Sequence, residues 1–163
     1  MSLTAEEFSD IASFVGHAVW QIQVLEETVA LHLVMVHKVD AKTARRDTEK
    51  MFARASKQTL GQLFGAIRDI GKSPSDLLSR FERFVDERNW LIHRSRHENR
   101  KDLYSDTRRP QLGARISAVA DEALSLLTAF QDLTEAHLIA RGMDRAKMKA
   151  RAEEILREWT SGV

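Results

Sequence analysis

From Phe8 to Leu138 the apolar residues of this chain recur at intervals of three and four, and nowhere do they alternate over the length of a strand. That period belongs to helices that each bury one stripe. Phe8, Ile11, Val15, Val19, Ile22 and Leu25 trace such a stripe. It widens between Val29 and Val36 until nearly every side is apolar, so the first helix should meet more than one neighbour. Two prolines and seven glycines in 163 residues leave few interruptions. The pattern predicts an all-α protein, an antiparallel helical bundle of about five to six helices.

Local signals mark the helix ends. Thr4 with Glu7, and Thr59 with Gln62, have the form of capping boxes, in which a hydroxyl and a side-chain carbonyl satisfy free N–H groups. The first predicts a helix from Ala5 to about Lys38, and the second a short helix carrying Leu63, Phe64, Ile67 and Ile70 that Gly71 stops. Between them a helix should begin near Asp40 to Thr43 and carry Met51, Phe52 and Ala55. Ser73-Pro74 reads as N-cap and first residue of a fourth helix. Pro110 opens a fifth, whose stripe runs from Leu112 to Leu138, with its end near Ala140 and Gly142. A sixth, from Asp144 to Trp159, has a thin apolar side (Met148, Ala152, Ile155, Leu156, Trp159) and belongs on the surface. The expectation is a single domain over residues 1–163, with a core within 5–140 and a peripheral helix over 143–160.

The absence of cysteine excludes disulfides and thiolate metal sites. No basic segment leads into an apolar one at the N-terminus, and no consecutive run of some 18 apolar residues occurs, so the expectation is a soluble, cytoplasmic protein without a membrane partner. The net charge of +1 conceals a local excess: from Arg88 to Arg109 there are seven Lys or Arg against three acids.

One residue breaks the stripe of the fourth helix. Leu77, Leu78, Phe81, Phe84, Val85, Leu91 and Ile92 share an apolar arc, and Arg88 projects from its middle. A guanidinium keeps its proton, so its burial costs several kcal/mol unless a carboxylate or phosphate meets it. Asn89 and His93, four residues apart, flank the same stripe.

The segment Arg88-Asn89-Trp90-Leu91-Ile92-His93 resembles the motif of HEPN domains, an Arg followed after four to six residues by His, with Asn directly after the Arg. The match covers six residues; the rest is setting, a motif late in a bundle helix followed by a variable loop. The resemblance implies a HEPN-like bundle that dimerises, joins two copies of the motif in one cleft and cuts RNA without a metal or cofactor. It further implies a toxin or antiviral effector, with a nucleotidyltransferase-like antitoxin as a possible partner. The residue types suit that chemistry. An imidazole such as that of His93 exchanges protons near neutrality, and Arg88 supplies a permanent forked charge for a pentavalent phosphate. Asn89 would hold the imidazole tautomer or a phosphate oxygen. The polar, basic run from Arg94 to Arg109, read as a loop, would bind the RNA backbone through Arg94, Arg96, Arg100 and Lys101.

Three points stay open. On a regular helix Arg88 and His93 point about 140° apart, so convergence needs a helix that ends there or a second subunit. Arg88 can instead pair with Glu26 or Glu27 of the first helix, leaving a helical module that binds a nucleotide or protein and does no catalysis. Trp90, opposite the apolar stripe, reads as a dimer contact or a base-stacking platform. His93 and His97 have the i, i+4 spacing of metal ligands, but no carboxylate pattern accompanies them, and no metal is expected.

Overall fold

The computed structural model describes residues 3–40 and 42–161, the Trp159 side chain excepted. Helix α1 (Ala5–His37) begins on its capping box: Thr4 Oγ1 accepts the Glu7 N–H at 3.2 Å, and the Glu7 carboxylate accepts the Thr4 N–H at 2.8 Å. Helix α2 (Arg45–Ala55) starts later than Asp40–Thr43. The reason is a turn in which Asp40 Oδ1 accepts from the Lys42 N–H and the Thr43 hydroxyl, each at 2.9 Å. Helix α3 (Leu60–Ile70) has the second capping box and stops at Gly71, whose φ of 69° suits glycine. Helix α4 (Ser75–Asn89) has Pro74 at its N-cap and passes into a π turn (Trp90–Arg94). Two single-turn helices, α5 (Ser95–Glu98) and α6 (Arg100–Leu103), lead to α7 (Arg109–Ala140) and α8 (Arg145–Thr160). No strand occurs among the described residues.

Helices α1 and α7 form the spine. Glu7 pairs with Arg109, His32 with Thr134 and Val39 with Arg141, and in every case the partners lie 102 positions apart. A constant difference means that the two helices run parallel, which corrects the expectation of a wholly antiparallel bundle. The cause is the excursion between them. Helix α4 carries the chain back, antiparallel to both: Arg80 meets Glu122 and Glu87 meets Arg115 on α7, and Arg88 meets Glu26 on α1. The chain thus returns to the starting end of α1 before α7 begins.

The core lies between these elements. Ile22, Leu25, Val29 and Leu33 of α1 join Ile116, Ala123, Leu126 and Phe130 of α7, with Phe64 and Ile67 of α3 and Phe81 and Phe84 of α4. Phe81 stands edge-on to both Phe64 and Phe130, with centroids 5.3 and 5.2 Å apart. By length and composition α1 alone among the described helices could cross a membrane. In the fold Ala18, Ile22, Leu25, Val29, Leu33 and Val34 of this helix lie in the core, while Phe8, Phe14, Trp20, Val24 and Leu31 are exposed. Asp144 caps helix α8, and none of the helix's described residues is buried.

Candidate functional site

The polar cluster is built where α4 passes Glu26. Arg88 Nη2 donates to Glu26 Oε1 at 3.0 Å and Nη1 to Asn89 Oδ1 at 3.4 Å. The Arg88 and Glu26 side chains are 19% and 25% exposed, so the guanidinium is neutralised where it could not stay unpaired, while solvent still reaches the pair. Of the two acids on α1 that the sequence offers, Glu26 is the partner and Glu27 is exposed. Arg88 Nε is buried and unpartnered, one donor of the fork left unused.

Directly after Asn89 the helix loosens into the π turn, closed by the Ser95 N–H donating to Trp90 O. Ser95 Oγ donates to Leu91 O at 2.7 Å and Asn99 Nδ2 to Ser95 O at 2.9 Å, which occupies carbonyls at this widened end. A π turn advances less per residue than an α turn, so the separation of about 140° that a regular helix would give Arg88 and His93 is narrowed. His93 is exposed. Arg88, Asn89 and His93 share one end of α4, with His93 open to solvent.

Trp90 is not an outward platform. It is 2% exposed, and the Arg115 guanidinium lies over its ring at 3.5 Å. Arg115 is held in turn by both Glu87 oxygens at 3.1 and 3.0 Å. The wheel drawn on α4 alone placed Trp90 outside because it could not show that α7 runs along that flank. Ile92, assigned to the buried arc, is 40% exposed, since the α1-facing side of α4 is already polar at Arg88.

The basic run is helical in part, not the loop expected. Helices α5 and α6 occupy Ser95–Glu98 and Arg100–Leu103. Arg94 reaches Glu98 at 3.6 Å. Arg96, Arg100 and Lys101 are exposed and form no ion pair among the described residues. Arg108 pairs with Asp102 at 3.1 Å. Arg109, only 11% exposed, is a structural clamp: its guanidinium binds Glu7, Asp106 and the Leu103 carbonyl, tying the end of this segment to the first turn of α1. Neither the Arg109 clamp nor the Glu87–Arg115–Trp90 stack announces itself in the sequence, since each joins residues far apart in the chain.

Among the described residues no three His, Asp or Glu side chains group as metal ligands. The cavity between α4 and α7 is walled by Arg80, Arg83, Asp86, Glu87, Arg115 and Glu122 and does not include Arg88, Asn89 or His93. The polar cluster thus lies on the surface and not in that cavity. No protein-family model matches the chain, and neither a curated protein nor a solved structure matches it.

Proposed function

We propose that this protein is a HEPN-like, metal-independent endoribonuclease, with Arg88, Asn89 and His93 as its reacting set. The reading is supported by the π turn that directly follows Asn89, which leaves His93 exposed at the same end of α4 as an arginine whose Nε is unpartnered. In the reaction an RNA 2′-hydroxyl loses its proton to one imidazole and attacks the adjacent phosphorus. The 5′-oxygen leaves with a proton from a second imidazole, and the product is a 2′,3′-cyclic phosphate. Arg88 stabilises the charge on the non-bridging oxygens, and Asn89 orients a phosphate or the ring. One chain supplies one His93, so the second comes from a second copy in a homodimer. The exposed apolar residues Trp20 (75%) and Val24 (48%) of α1, and Ile92 of the π turn, lie on the two elements that Arg88 and Glu26 join and suit such a contact. Arg94, Arg96, Arg100 and Lys101 supply the phosphate-binding surface beside it. Toxin or antiviral action in the cytoplasm, with a nucleotidyltransferase-like antitoxin as partner, is the corresponding biological setting.

The Arg88–Glu26 pair favours a second reading. An arginine already neutralised by a carboxylate serves a helical module that binds a nucleotide or protein and cuts nothing. The decisive experiment is cleavage of a mixed RNA by purified protein in excess EDTA. Cutting that persists, leaves cyclic phosphate ends and disappears in His93→Ala while the melting temperature stays within about 1 °C supports the enzyme. RNA left intact by the wild-type dimer, or full sensitivity to EDTA, replaces it with the binding module.

A further inference from the structure

At the opposite end of α4 three imidazoles surround a cavity of about 400 Å³. Its wall is formed by His32 and His37 of α1, His137 of α7, Lys72 and Ser73 before α4, and the apolar Val36 and Leu133. The wall contains no carboxylate. His32 is 2% exposed. Thr134 Oγ1 donates to Phe130 O at 2.7 Å, so at 2.9 Å it accepts Nδ1–H of His32 and leaves Nε2 of that ring without a partner. Both ring nitrogens of His37 and Nε2 of His137 are also buried and unpartnered. So many unsatisfied nitrogens on one small cavity is costly, at about 1–3 kcal/mol for each such group, and a bound ligand would relieve it.

The charges around the cavity decide the sign of that ligand. Lys72 stands against His37, and His137 against both His32 and His37, so a cation would meet an ammonium and no counter-charge. Ser73 and Pro74, the residues just before the first turn of α4, line the cavity, so the positive end of that helix lies at its wall. Pro74 makes no side-chain cap, and the N–H groups of Ser75, Asp76 and Leu77 have no acceptor within the helix. Asp76, in that turn, is exposed and not part of the wall.

We propose that this cavity is a binding site for a phosphate monoester, with Lys72, His37 and His137 on the phosphate and His32 as the buried group behind it. The volume exceeds that of a bare phosphate, and Val36 and Leu133 offer an apolar wall to the organic part. Burial, then Lys72 and His137, hold the His37 imidazole below its ordinary range; burial, then His37 and His137, push His32 down to about 4. An anion reverses those penalties, so binding takes up protons and tightens as pH falls. The site is independent of the ribonuclease reading, since α4, roughly 20 Å long, separates the two.

The test is calorimetric titration of the full chain at pH 8 and pH 6 with inorganic phosphate, AMP and adenosine, alongside sulfate, whose charge is constant over this range. Melting curves at matched ionic strength accompany it. AMP and phosphate should bind and adenosine should not. Sulfate should bind at least threefold tighter at pH 6, and Lys72→Met should weaken AMP by about tenfold, as expected for one charged hydrogen bond, with RNA cleavage unchanged. His137→Gln should reduce the pH dependence. Heats and melting temperatures no different from equimolar chloride at either pH would overturn the proposal. So would adenosine binding as well as AMP, or stabilisation by zinc or nickel that EDTA reverses with no response to phosphate, which would make it a metal site.

Discussion

Replacing Arg88 with Ala should destabilise the protein by about 2–3 kcal/mol, a value between the 3–5 kcal/mol for breaking a fully buried pair and the fraction of a kcal/mol for an exposed one. The structure sets the position on that scale. The partners are about four-fifths covered, the bond is 3.0 Å, and among the described residues Glu26 pairs with no second cation. For a chain of this length the loss corresponds to about 5–10 °C in melting temperature. Urea unfolding with an unchanged m-value measures it directly. A double-mutant cycle separates the pair from the packing of the arginine stem. Arg88→Met and Glu26→Leu should each destabilise, while the double mutant should recover much of the loss, because two matched apolar groups leave no stranded charge. Arg88→Lys then distinguishes structure from catalysis: the charge on Glu26 is kept and stability falls by under about 1 kcal/mol, but the fork is gone and cleavage should drop by at least about a hundredfold. An Arg88→Ala protein within about 0.5 kcal/mol of wild type, with negligible coupling to Glu26, would refute the account of how this helix tolerates an arginine in its stripe.

Replacing Arg96, Arg100 and Lys101 together with Ala should weaken single-stranded RNA binding and reduce its salt slope by about 2, read by fluorescence anisotropy from 50 to 300 mM salt; an unchanged slope would make them plain surface. Stability should fall on acidification through His32. Because the folded chain holds this imidazole near 4, the unfolded chain takes up the proton first, so the contribution is complete above about pH 6.5 and is lost as pH falls toward 4. Between pH 7 and pH 5 the loss is about 2 kcal/mol, which urea unfolding without added phosphate should show and His32→Gln should flatten. Phe81→Ala, at the centre of the edge-to-face aromatic group, should cost about 3–5 kcal/mol by the same measurement.

The faces of the helices were legible, and their neighbours were not. Thr4 with Glu7, Thr59 with Gln62, Gly71 and Asp144 act within one turn of the chain, so residues three or four apart carry the whole signal and α1, α3 and α8 start or stop where expected. The parallel course of α1 and α7 depends on where the chain returns after α4, and no local period records that. Trp90 shows the consequence for a site residue. Its wheel position is outward on α4, yet its environment is decided by Arg115, 25 positions away, lying over its ring. Arg88 was legible as an anomaly because a permanent charge in an apolar arc demands a partner wherever the arc is buried.

The buried imidazoles escaped for the opposite reason. His32, His37 and His137 lie on apolar helices with no motif joining them, and only the 102-residue pairing of α1 with α7 brings His32 and His137 to one level, with His32 against Thr134. Helix α4, running antiparallel to that pair, then puts its uncapped N-terminus beside the imidazoles and its π turn beside Glu26. One end therefore offers a helix N-terminus, an ammonium and imidazoles with no acid in the wall. The other offers an arginine already balanced by a carboxylate. An anion should gain most at the first end, where nothing must be displaced, whereas a phosphate at Arg88 competes with Glu26 for the guanidinium. If RNA is cut at Arg88, Glu26→Gln should strengthen its binding there, and RNA binding no tighter in Glu26→Gln than in wild type would mean that the Arg88 fork never leaves its carboxylate.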